Sequence, residues 1–172
     1  MDVLKFLGYL VCNTFCTMLS ATMIYYFLKI NFKLENKKNS LLFLVLSFGL
    51  LNGVVVSIWT NLFEISSALQ PIKQILLLVI SVIIIRFSLK VNWLKAVLAF
   101  VVQIVSLGVG NALVFPILHI TQEKTLSSLP TYIFVNIFIY AITLIVMVIV
   151  QILIKLTRIV ISKDNDKKAS EH

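Results

Sequence analysis

Breaks are scarce in this chain. Three prolines and five glycines in 172 residues leave little to interrupt a helix, and only 13% of the residues are charged. A soluble domain of this length needs polar faces on its helices or strands. Here 60% of the residues are hydrophobic and the mean hydropathy is +1.03, which places the chain in the membrane class. The runs also lack period-2 alternation and regularly spaced turns, which excludes a transmembrane β-barrel. Two cysteines cannot staple a small secreted fold. Cys12 and Cys16 stand four apart on one helix face, a spacing unsuited to a disulfide, and read as small apolar fillers. Histidine is limited to His119 and His172, so no metal-ligand set can be assembled and no cofactor is expected. Phosphate loop, dinucleotide turn, zinc-protease helix and nucleophile elbow are all missing, and no catalytic residue is assigned.

What is present is a set of long apolar runs. Five are long enough for a helix of about 20 residues to cross a bilayer: Phe6–Leu28, Leu41–Trp59, Pro71–Leu89, Leu94–Leu118 and Tyr132–Ile154. The third is weakest, with Lys73 and Arg86 snorkelling from its ends. The first is too long for a signal peptide, and Asp2 weakens its basic flank. The expected fold is an all-α membrane bundle over residues 1–162, followed by a polar, disordered cytoplasmic tail at 163–172.

The net charge of +8 has an address. With five alternating spans, twelve of the fifteen basic residues flank one side, among them Lys29, Lys38, Arg86, Lys90, Lys95, Lys155 and Arg158. Only Lys5, Lys73 and Lys124 flank the other. Basic flanks resist translocation, so the N-terminus is expected outside and the C-terminus in the cytoplasm of a bacterial inner membrane. That split accounts for the basic pI of about 9.6 without nucleic acid as a partner, and leaves the lipid bilayer as the expected one.

Two outgoing spans share a pattern, "SFGLLNGVVVSI" from Ser47 and "SLGVGNALVFPI" from Ser106, which suggests two hairpins of the same orientation behind a leading helix. Gly49 and Gly53 form a Gly-x-x-x-Gly, and Gly108 and Ala112 its small-residue equivalent. Residues three and four apart share a helix face. Each pair is therefore expected to make a groove for another helix, with Asn52 or Asn111 bonding across it. The functional alternative gathers Asn13, Asn52, Asn111 and Asn136 near one opening as a pocket reached from outside. Glu64 and Glu123 are the acidic residues of the two outer loops, placed to meet a ligand there. Gln103 and Gln151 fall towards the inner side.

The stretch "KQILLLVISVIIIRFSLKVNWLKAVLAFVVQIVSLGVG" pairs a returning span, a short basic loop and a new outgoing span. With "VNIFIYAITLIVMVIVQILIKLTRI", it resembles the membrane sensor region of accessory-gene-regulator-type histidine kinases that carry GHKL-type ATPase domains. That resemblance covers most of residues 40–160. It implies detection of an extracellular peptide, quorum sensing, and output through the last helix to a kinase. The chain has neither the ATP-binding N-x-x-x-N box nor the glycine lid of that family. A separate cytoplasmic kinase or a homodimer is the partner this departure points to. The expectation is thus a non-enzymatic sensor for an extracellular peptide or small molecule. The alternatives are the substrate-binding membrane subunit of a small-solute transporter, or a structural or immunity-type protein.

Overall fold

The computed structural model describes residues 3–32, 34, 38–62, 70–119 and 128–170. Five helices account for nearly all of them, and no strand occurs among the described residues. They are α1 (Val3–Phe32), α2 (Lys38–Leu62), α3 (Gln70–Leu89), α4 (Trp93–Leu118) and α5 (Leu129–Ser170). Segments such as "SVIIIR" in α3 and "LIVMVIV" in α5 are rich in β-branched residues that favour strands in water. In hydrocarbon the backbone must satisfy its own hydrogen bonds within the segment, and only the helix does so. Each of the five apolar runs lies inside one helix. Four helices are long and apolar enough to cross a membrane, while the apolar part of α3, Gln74–Leu89, is shorter. The chain is an all-α, multi-pass membrane protein.

Sequence neighbours pack together. The α1–α2 pair is the most extensive, α4–α5 the next, and α5 closes back onto α1. Helix α1 also reaches α4 across the ring. It is therefore the central helix, burying residues from Tyr9 to Leu28 at helical spacing. The main core lies towards one end, where Ile24, Phe27 and Leu28 of α1 meet Leu44, Ile85 and Phe100. A smaller cluster of Val114, Val135 and Ile139 joins α4 to α5.

Basic residues collect at the end where the main core lies. Lys95 Nζ stands 5.3 Å from the Phe32 ring, and Arg158 Nη2 donates to the Asn31 carbonyl at 3.3 Å. The α3–α4 turn belongs to the same end. Lys90 takes a left-handed φ of 52° where α3 stops, and Asn92 caps α4 by accepting from the Lys95 amide at 2.9 Å.

Two expectations change. The segment 163–170 was expected to be unstructured because it is polar, yet α5 stays helical to Ser170. The sequence there sets Asp164 four residues before Lys168, the favourable orientation for a helical ion pair, among Lys and Ala residues of good helix propensity. The two Ser-x-Gly-x-x-Asn repeats also pack differently. A Cβ on Gly53 would lie 2.6 Å from Thr14 Cα, and one on Gly49 would meet the Met18 side chain at 2.3 Å, so α2 does use its glycine groove, against α1. Gly108 has nothing within 4 Å, and it and Ala112 are exposed. The close approach on α4 is made instead by Gly110, where a Cβ would sit 2.6 Å from Thr143 Oγ1 and 2.9 Å from the Ile139 carbonyl of α5. A flank of lipid is as apolar as a helix neighbour, so the small pair at 108 and 112 carried no information about which it would face.

Candidate functional site: a polar-edged cavity inside the bundle

Helix α3 is two helices in packing terms. Its half nearest the turn buries Ser81, Val82, Ile84, Ile85, Ser88 and Leu89. From Ile72 to Ile80 no described side chain is buried. Beyond the 90–92 turn, α3 and α4 leave space between them that side chains of α1 border. A cavity of about 530 Å³ occupies this wedge, within the range of pockets that enclose a drug-sized ligand. Phe48, Leu78, Phe100 and Ile104 supply apolar walls. Thr17, Ser20, Asn52, Gln74, Ser81, Gln103 and Tyr140 supply polar edges, so all five helices take part. None of the described lining residues is an acid, lysine, arginine or histidine.

The polar edges are organised by hydrogen bonds between helices. Gln103 Nε2 of α4 donates to Ser20 Oγ of α1 at 2.9 Å, and Ser20 Oγ lies 3.5 Å from the Tyr140 hydroxyl of α5. Asn52 Nδ2 of α2 donates to Ser81 Oγ of α3 at 3.1 Å. Thr17 Oγ1 donates towards the Gly49 carbonyl at 2.9 Å, a contact allowed by the close α1–α2 approach. One atom stands out: Asn52 Oδ1 is buried and has no partner. A buried carbonyl without a donor carries a desolvation penalty of about 1–3 kcal/mol. Arg86 Nε and Ser88 Oγ, towards the α3–α4 turn, share that condition.

A second polar group sits away from the cavity. Asn13 Nδ2 donates to Ser57 Oγ at 3.0 Å, and the Tyr132 hydroxyl donates to Asn13 Oδ1. Tyr9 packs edge-on against the Tyr132 ring, with centroids 4.7 Å apart. Asn13 thus ties α1 to α2 and α5, with both of its amide atoms engaged.

The structure therefore divides the candidate residues. Of the four asparagines grouped by depth, only Asn52 reaches the cavity. Asn111 Nδ2 turns back to the Leu107 carbonyl of its own helix at 3.0 Å, and Asn136 Nδ2 to the Tyr132 carbonyl at 2.9 Å. Within a helix an amide can always find the carbonyl four residues earlier, which removes any need for a partner across the bundle. Glu64 and Glu123 lie outside the described residues. Gln103, assigned to the inner side by depth, lines the cavity together with Ser20 and Ser81, neither of which was singled out. Their signal was available: any polar side chain inside an apolar span tends to face the bundle interior, hydroxyls included.

Among the described residues no group of His, Cys, Asp and Glu is placed to hold a metal ion. Compared with protein-family models, curated proteins and solved structures, the chain matches none of them.

Proposed function

We propose that this chain is a non-enzymatic receptor of the bacterial cytoplasmic membrane, which senses a ligand in the bundle cavity and relays its presence to a cytoplasmic partner through α5. The observation that carries this reading is continuity. One unbroken helix runs from the cavity wall at Tyr140 to Ser170, with Lys155, Arg158, Lys163, Lys167 and Lys168 along its far part. A ligand shifts a receptor only by binding its two states unequally. The 3.5 Å Ser20–Tyr140 contact is the element at the cavity edge that ligand is placed to change, because it is long for a hydroxyl pair and connects α1 to α5. The resemblance to accessory-gene-regulator-type sensor regions supports the same direction of signalling. A basic end to α5 fits both the cytoplasmic side and a docking surface for a kinase or a second copy.

A transporter subunit is the second reading, favoured by the loosely packed half of α3, which leaves the cavity open at the side of the bundle. Co-purification from native membranes in mild detergent separates the two. A receptor is expected to bring down a kinase or other signalling chain, and to lose it when α5 is cut after Thr157. Recovery of ATP-hydrolysing transport subunits, unaffected by that cut, would replace the receptor with the transporter.

A further inference from the structure

A second cavity lies at the basic end of the bundle, and its chemistry does not depend on the receptor reading. It encloses about 420 Å³ between the close of α1, the start of α2 and the α3–α4 turn. Tyr25, Leu89 and Val91 line it and are buried, which gives it an apolar floor. Ser40, Lys90, Asn92 and Lys95 line it at more exposed positions, which gives it a polar rim. Lys95 turns its ammonium to 5.3 Å from the Phe32 ring, itself part of the lining, and so keeps its charge at the cavity. Lys90 stands in the turn with a left-handed φ of 52°.

The rim gathers charge of one sign. Helix α4 starts at Trp93, and the start of a helix carries a partial positive charge that carboxylates normally offset. Its first turn holds no acid, and lysines stand at 90 and 95 instead. None of the described lining residues is an acid, and among the described residues neither ammonium has a carboxylate partner. The sequence supplies little to offset them. Segments 29–40 and 86–95 carry seven basic residues and one acid, Glu35, which lies outside the described residues. Two ammoniums and a helix start around one concavity attract an anion, and both are ordinary phosphate binders. A bare phosphate ion leaves the apolar floor uncovered, whereas an esterified one covers it with its carbon body. Trp93, exposed beside the rim, is the residue type that settles at a membrane interface, where headgroup phosphates lie. We propose that this cavity binds an organic phosphate, with Lys90 and Lys95 holding its oxygens and the floor meeting its carbon body. A lipid headgroup and a soluble phosphate ester share that chemistry.

The test titrates the whole chain, stripped of lipid in mild detergent, and counts bound molecules by native mass spectrometry. The probes are dioleoylphosphatidylglycerol, dioleoylphosphatidylcholine, oleate and glycerol 3-phosphate. One phosphatidylglycerol is expected to bind at least about tenfold more tightly than phosphatidylcholine or oleate, since each lysine beside an anionic group contributes about fivefold. Lys90→Gly combined with Lys95→Gln should abolish that preference. Glycine suits the left-handed turn and glutamine keeps most of the reach of the lysine, so this pair is expected to fold. Lys90→Asn with Lys95→Met replaces it if it does not. Removing two charges elsewhere, in Lys155→Gln with Lys167→Gln, should change the preference by less than about twofold, because screened charges away from the site act weakly. Glycerol 3-phosphate that displaces the lipid at millimolar concentration identifies a soluble ester as the ligand, and failure to displace it identifies a headgroup. The site stands in both cases. Equal binding of all three lipids, or an equal loss in the two lysine pairs, would overturn it. A preference that appears only in Glu35→Gln would overturn it too, by giving the cavity to that carboxylate.

Discussion

Asn13 is shared by three helices, and its neighbours at positions 52, 111 and 136 are not, although the sequence presents all four as the same residue in the same kind of surroundings. Removing its amide in Asn13→Ala takes away the acceptor of the Tyr132 hydroxyl and the α1–α2 bond to Ser57, whose Oγ still donates to the Gly53 carbonyl. The expected loss is about 1–2 kcal/mol of bundle stability, read by denaturant titration in mixed micelles. Asn136→Ala removes only a bond to its own helix and is expected to change stability by less than about 0.5 kcal/mol. Equal effects of the two would mean that the three-helix link is not formed. The glycines sort in the same way. Gly53→Ala and Gly110→Ala push a methyl against backbone atoms of α1 and α5 and should each cost about 1–3 kcal/mol, while Gly108→Ala, which meets open space, should be neutral or slightly stabilising. Measured stabilities that rank Gly108→Ala with the other two would return α4's small pair to the interior. From sequence these positions are hard to separate. Inside and outside of the bundle are both apolar, so the periodicity that marks the buried face of a soluble helix carries little contrast.

At the scale of the helices the sequence was far more legible. All five apolar runs lie within helices, and the charged residues that end them, Lys29, Lys38, Arg86 and Lys90, stand at or near the observed termini. The weakness of the third run was legible too, and it has a structural counterpart. Among the described side chains of 72–80 none is buried, and this is the part of α3 that borders the cavity. The sequence could not show that this stretch borders a cavity, since that depends on where α1 crosses. Spin labels at Ile75 and Val105, across the wedge, are expected to give a broader distance distribution than labels at Phe87 and Leu94, beside the turn. All four positions are exposed, so labelling does not disturb the core. Equal widths would mean that α3 is held as firmly at one end as at the other.

For the molecule as a whole, charge is the most informative quantity. With five alternating spans the sequence assigns twelve basic residues to one set of flanks and three to the other, which predicts an orientation without any contact being known. With Cys12 and Cys16 replaced by alanine, a cysteine at position 170 should react with a membrane-impermeant maleimide only after cells are opened. Reaction in intact cells would invert the bundle and place the basic end of α5 outside, away from any cytoplasmic partner.

The 42 residues of α5 also set a mechanical scale. At 1.5 Å per residue the helix is about 63 Å long, and about 40 Å of it lies beyond Thr143, where it packs against Gly110. With that contact as a pivot, a tilt of about 5° carries the far end through about 3.5 Å, given a rise of 1.5 Å per residue. That displacement is more than half of one helical turn. A change too small to open the bundle at Tyr140 is therefore a displacement of several ångströms at the far end of the helix, at a rise of about 1.5 Å per residue. The long arm is a gear, and its ratio is fixed by where Gly110 touches it.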